Sequence, residues 1–200
     1  MKIRKKKDLY LEGQLVKVVV VKNPQKFNPE KSEASIILSF GNNFAKSEDK
    51  SGESKPINTK LAKKNIFTRM GEYEVKDVLI YVLSSKNNEQ VDLFSINIEG
   101  VNIIYLDNSV NMLTSETIDL VGVCHILIVE LNHDDFKAKS ELVNEIDPYV
   151  VIPLSDDPEA VHKFATGLGL VEPEAQGYLN YTLNQFESDE EATISIALLK

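Results

Sequence analysis

Three places where this sequence leaves an apolar run carry the side chains best suited to chemistry. The stretch "NHDD" (132–135) sets His133 beside Asp134 and Asp135. A carboxylate near an imidazole can make a general base or a weak metal site. The same aspartates suit the N-cap and first turn of a following helix, and capping is the preferred reading. "SDDPEA" (155–160) poses the same choice. Asp156 and Asp157 are able to hold a cation, yet Asp157-Pro158 is an ordinary helix start. "YLDNSVNMLT" (105–114) passes from a strand through a polar turn into a helix, and Asp107 invites a catalytic role. Turns of this kind hold the function of many α/β proteins.

The remaining reactive residues are few. His125 opens an apolar run and is expected to be a core or strand-end residue, while His162, three residues after Glu159, is expected on a helix surface. The single cysteine, Cys124, excludes an intramolecular disulfide framework and a multi-cysteine zinc site. Its place in "VGVCHILIVE" makes it a small core residue. There is no G-x-S-x-G, no G-x-G-x-x-G and no G-K-[ST] loop.

These residues must be positioned by strands and helices. "DLYLEG" (8–13) and "LVKVVVVKNP" (15–24) are rich in β-branched residues and predict a hairpin. "ASIILSF" (34–40) predicts a short buried strand, and 41–60 a long polar loop. The stretch 65–85 contains two strand-like runs around Gly71. Segments 91–100 and 101–107 predict a hairpin turning at Glu99-Gly100. A helix over 114–122, capped by Thr114 or Ser115, places Ile118, Leu120 and Val121 on one side. Strands over 125–131 and 149–154 alternate with helices over 134–147 and 157–170, and a last strand covers 192–199. Many strands precede the first helix, so the pattern is a layered α/β sandwich rather than a doubly wound sheet.

Composition narrows the partners. The chain has 200 residues, a net charge of −9 and a pI of about 4.9. That acidity argues against nucleic acid or an anionic membrane as the main partner. The basic run "KIRKKK" (Lys2 to Lys7) is read as an edge strand blunted by lysines. No apolar stretch predicts a transmembrane helix or a signal peptide, so a cytoplasmic protein with one domain over 1–200 is expected.

Five segments occur in an order that resembles a known family. They are "VKVVVVKNP" (16–24), "EASIILSFGNNFAK" (33–46), "GEYEV" (71–75), 91–122 with its "YLDNSVNMLT", and "AKSELVNEIDPYVVIPLSDD" (138–157); the segment 158–182 also fits. Together they resemble the metallo-β-lactamase superfamily, in the compact branch of Zn-dependent hydrolases related to the ascorbate lactonases. The resemblance implies a four-layer αβ/βα sandwich with mixed β-sheets, outer helices and a metal site between the sheets. The implied ligand slots hold other residues. The H-x-H-x-D-H motif falls, within one residue, on Gly41, Asn43, Ala45 and Lys46. The metal-bridging Asp and a nearby His fall on Asn108 and Asn111, and the last His on Ser155. A Gly-His pair falls within Lys6-Lys7-Asp8, and an Asp before Pro is Asn23.

Zinc needs imidazole, thiolate or carboxylate ligands, and Asn and Ser offer only weak neutral oxygens. Lys46 would repel a dication. The resemblance therefore implies a member without metal or other cofactor. It would retain a vestigial pocket at Gly41, Asn43, Lys46, Asn108, Asn111 and Ser155. The expected function is a catalytically inactive protein with a binding or assembly role, as a homo-oligomer or with a protein partner. The alternatives are a hydrolase with a shifted site using His133, Asp135, Asp107 or Asp156, and a small-ligand sensor lined by Asn43, Asn108, Asn111 and Ser155.

Overall fold

The computed structural model describes residues 1–40, 64–85, 90–132, 136–187 and 193–200. Among them the chain opens with β1 (Lys2–Lys5), β2 (Leu9–Glu12), β3 (Lys17–Val21), β4 (Ile36–Ser39) and β5 (Asn65–Phe67). Next come β6 (Gly71–Val75), β7 (Val78–Leu83), β8 (Leu93–Ile98) and β9 (Val101–Leu106). Then α1 (Ser115–Val121), β10 (Ile126–Glu130), α2 (Phe136–Ile146), β11 (Val150–Leu154) and α3 (Pro158–Gly167) alternate. β12 (Leu179–Asn180), α4 (Asn184–Glu187) and β13 (Ser195–Ile196) complete the order.

The strands form two mixed sheets. One has the order β12-β1-β2-β3-β4-β5, the other β13-β11-β10-β9-β8-β7-β6. In the second, β9, β10, β11 and β13 run parallel and the hairpin side is antiparallel. Side chains alternate across each strand, so one face of each sheet points inward. Ile3, Leu11, Val18, Val20 and Ile36 of the first sheet meet Ile80, Phe94, Ile103 and Ile128 of the second in one core. The outer face of the second sheet carries Leu93, Ile104, Leu127 and Val151, and covers them with Leu142, Val143, Ile146 and Phe164 of α2 and α3. β10 and β11 are therefore buried on both faces, which is why they are continuous apolar runs. On the far side of the first sheet, Val19, Val21 and Ile37 pack against Phe27 and Ala34, from the segment that holds two 3₁₀ turns.

The turns follow local chemistry. Glu99 (φ 56°) and Gly100 (φ 82°) both lie in the left-handed region, as a two-residue hairpin requires. Lys76 (φ 52°) and Asp77 (φ 61°) make a second such turn between β6 and β7. The Thr114 hydroxyl accepts from the Thr117 amide at 3.2 Å and starts α1. Asp157 Oδ1 accepts from the Glu159 amide at 3.0 Å and starts α3, with Pro158 in its first turn.

Several expectations change. β1 is not an edge: β12 pairs with it at Lys2 and Ile3. The region 65–85 makes three strands, not two, because the Lys76-Asp77 turn splits the second run into a hairpin. The last strand shrinks to Ser195–Ile196. On α1, Val121 is buried but Leu120 is half-exposed, so the apolar side is narrower than its sequence implies. The loop 41–60 lies outside the described residues. Among those described, no helix is long and apolar enough to cross a membrane.

Candidate functional site

The parallel strands of the second sheet end together, and the β1–β2 turn of the first sheet faces their ends. A cavity of about 670 Å³ lies between them. Its first wall is Lys5, Lys6, Lys7 and Asp8, with Lys22 just beyond β3. Its second wall is Tyr105 near the end of β9, Glu130 and Asn132 at the end of β10, and Ser155 to Asp157 after β11.

Glu130 is the chemical centre of this cavity. Its side chain is almost wholly buried, at 3% exposure for the residue. One carboxylate oxygen accepts from the Tyr105 hydroxyl and the other meets the Lys22 ammonium. A buried carboxylate persists as an ion only with such partners. Burial, and then the Glu130 charge, hold the Tyr105 phenol well above its ordinary range. Burial also raises the Asp8 carboxyl, opposed by the Lys22 backbone amide that donates to it. Lys5 reaches Asp156 at 3.4 Å, and the Asp156 side chain is fully exposed.

The residues singled out in the sequence divide unevenly. Ser155 lines the cavity, and its Oγ accepts from the Asp157 amide at 3.1 Å. Asn108 reaches the cavity wall by donating its Nδ2 to Asn132 Oδ1 at 3.0 Å. Asn111 is exposed and does not line the cavity. Asp107 is engaged in its own turn, where Oδ1 accepts from the Ser109 amide at 3.0 Å. Gly41, Asn43, Ala45 and Lys46 lie outside the described residues, as do His133, Asp134 and Asp135.

The other reactive groups lie elsewhere. His125 Nδ1 accepts from the Asn102 amide at 2.9 Å, and its ring packs on Tyr149 and Phe186. Burial lowers its pKa. His162 is exposed and contacts Glu172 at 2.6 Å rather than Glu159. Cys124 is buried, which pushes its thiol pKa far up and leaves it inert.

Sequence reasoning missed Tyr105, Lys22 and Glu130. The available signal was Glu130 itself, the one charge inside the apolar run "HILIVEL". An ionisable residue in a strand buried on both faces requires a partner, and Tyr105 sits on the neighbouring strand.

Among the described residues, the donor set does not suit the zinc of the family that the sequence resembles. Among the described residues, no three His, Cys, Asp or Glu side chains converge to hold a metal. The best-placed carboxylate, Glu130, is already bound to a lysine and a tyrosine, and four lysines line the cavity.

Solved structures settle the architecture. A protein assigned as a Zn-dependent hydrolase of the metallo-β-lactamase superfamily, from Thermotoga maritima, superposes with a TM-score of 0.72. It is 18% identical, and the match covers 100% of this chain and 99% of that one. This chain has the metallo-β-lactamase fold. A protein assigned as a metal-dependent hydrolase from Parabacteroides distasonis matches with a TM-score of 0.58 and 13% identity, over 99% of this chain and 93% of that one. The metallo-β-lactamase fold protein YhfI from Bacillus subtilis matches with a TM-score of 0.53 and 10% identity, over 82% and 86%. No family model and no curated protein matches the sequence. The likeness thus lies in the fold alone.

Proposed function

We propose that this protein is a non-hydrolytic member of the metallo-β-lactamase fold that binds a small molecule in the cavity at its strand ends. The observation that supports this reading is the state of Glu130. Both of its oxygens are engaged, one by Tyr105 and one by the Lys22 ammonium. A dication at that oxygen would have to take the place of the Lys22 ammonium, in a lining that also carries Lys5, Lys6 and Lys7. Without a bound dication, nothing among the described residues lowers the pKa of a water molecule toward neutrality, and the hydrolytic step natural to the fold lacks its usual nucleophile. The space itself is retained. At about 670 Å³ it falls within the ordinary range of small-molecule sites.

The test is elemental analysis of protein expressed with zinc, manganese and iron supplied, paired with thermal shift against a metabolite panel. The expected result is no stoichiometric metal and a raised Tm with a subset of metabolites, because a ligand that binds only the native state stabilises it by mass action. Tight metal at one per chain would overturn the reading in favour of a hydrolase with a shifted site.

A further inference from the structure

We infer that His125 is a pH-sensitive latch: its neutral ring holds the segment 179–187 across the two sheets, and its protonation releases that segment. The latch lies where the parallel strands start, at the end of the sheet away from the cavity. The segment bridges the sheets there. Its β12 pairs with β1 of the first sheet, and the Tyr181 amide donates to the Met1 carbonyl at 3.0 Å. Its α4 brings Phe186 to the second sheet, where that residue is 6% exposed. The Phe186 ring centroid lies 5.0 Å from that of His125 and 5.5 Å from that of Tyr149. Tyr181 stacks on the same phenylalanine at 5.9 Å. A two-residue strand and a four-residue helix hold little by themselves, so these ring contacts are the anchor.

Only one state of His125 fits this place. Its Nδ1 accepts from the Asn102 amide at 2.9 Å, while its own amide donates to the Asn102 carbonyl at 3.0 Å. A ring nitrogen that accepts carries no proton, so the neutral ring bears its proton on Nε2. Protonation fills Nδ1 as well and sets two N–H groups against each other. Asn102 cannot yield easily, because its side chain is tied down. Nδ2 donates to the Val121 and Val123 carbonyls at 2.8 and 2.7 Å, and Oδ1 accepts from the Ser95 hydroxyl at 3.2 Å. The ring must therefore turn away, and the surface on which Phe186 packs goes with it.

The charged group that acts on the ring is Glu187, on α4 itself. It favours the imidazolium and so opposes release, but it is exposed and its attraction is screened by water and salt. Asn102 brings amide groups and Tyr149 a phenol. Burial is the larger influence and lowers the pKa of His125 below 6.5. The closed state thus binds fewer protons than the released one. Closure has its full strength above pH 6.5 and weakens as pH falls below it, by at most about tenfold per pH unit for a single proton.

Amide hydrogen exchange of the full chain between about pH 7.5 and pH 5 tests this, with the His125 ring titrated in parallel by NMR. After correction for the intrinsic pH dependence of exchange, protection at Tyr181, Gln185 and Phe186 is expected to fall about tenfold, following the titration of His125. Amides of β10 should stay protected. His125→Asn offers a side-chain oxygen in place of Nδ1 and takes up no proton, so it should loosen the segment at every pH and abolish the pH dependence. His133→Gln/His162→Gln removes the other two histidines and should leave the dependence intact. Protection that does not change with pH, or that changes alike in the parent and His125→Asn, overturns the latch. So does a proton found on Nδ1 of the neutral ring, which NMR of the parent reads without any variant.

Discussion

The Tyr105 hydroxyl donates to the Glu130 carboxylate across two parallel strands, β9 and β10. Their register pairs Tyr105 with Ile128, and Glu130 stands two residues further along β10. Side chains two apart share a face, so both point into the space between the sheets. The contact is thus fixed by register. It places a charge at the end of the core and gives that charge a buried donor, with Lys22 arriving from the opposite sheet.

Removing the carboxylate tests this arrangement. Glu130→Ala leaves the Tyr105 hydroxyl buried without its acceptor, which costs about 1–3 kcal/mol. The Lys22 side chain is more than half exposed, so its ammonium returns to water and adds little to that cost. The double variant Glu130→Ala/Tyr105→Phe should recover part of the loss, because donor and acceptor then vanish together. Urea unfolding of the parent, Glu130→Ala, Tyr105→Phe and the double variant reads the coupling, and strictly additive losses would show that the two residues do not act as a pair.

Alkaline titration tests the electrostatics of the same pair. Burial first, and Glu130 second, raise the Tyr105 phenol well above 10.0, while burial pushes Tyr181 up to about 12. Because the folded state holds these protons more tightly than the unfolded chain, it binds more protons above pH 10.0 and loses stability as pH rises from there. Phenolate absorbance of the native protein should therefore show fewer than the 7 tyrosines near pH 10.0, with the rest released on unfolding. Glu130→Gln removes the second cause and should bring Tyr105 down. Full titration of all tyrosines in the native state would contradict the burial of this pair.

Much of the fold was legible because its signals are local. The runs "VVVV" and "HILIVEL" can only be buried strands, and Glu99-Gly100 can only turn tightly where both residues take positive φ. The caps at Thr114 and Asp157 were equally readable from short polar side chains before apolar periodicity. What escaped has no periodicity to read. β12 is two residues long and exists only because β1 offers it an unpaired edge. The lysine run was read as an edge for the same reason: nothing in "LN" at 179–180 announces a strand that will flank it. At the cavity, the family resemblance pointed to Ser155, which lines it, and to Asn108, which touches its wall through Asn132, whereas Tyr105, Lys22 and Glu130 come together only through register between strands and across sheets. Asn111 follows a turn that carries it to solvent.

That turn has a support no pattern would suggest. Lys139, on α2 and 1% exposed, donates its ammonium to the Asp107 and Val110 carbonyl oxygens, the first at 3.2 Å. It closes the segment 107–110, in which the Val110 amide also donates to the Asp107 carbonyl at 3.1 Å. Asn108 leaves this segment to reach Asn132 at the cavity wall. Lys139→Met keeps the length of the side chain and removes the charge, so the Val110 carbonyl loses a buried donor. The expected cost is about 1–3 kcal/mol, with faster amide hydrogen exchange at Ser109 and Val110. Two residues earlier on the same helix, Lys137 is fully solvated and pairs with Glu141 at 3.8 Å. Lys137→Met should change stability by no more than about 0.5 kcal/mol and leave exchange in the turn untouched. If the two methionine variants lose stability equally, or if exchange at Ser109 and Val110 is unmoved in Lys139→Met, the ammonium is not what holds the turn.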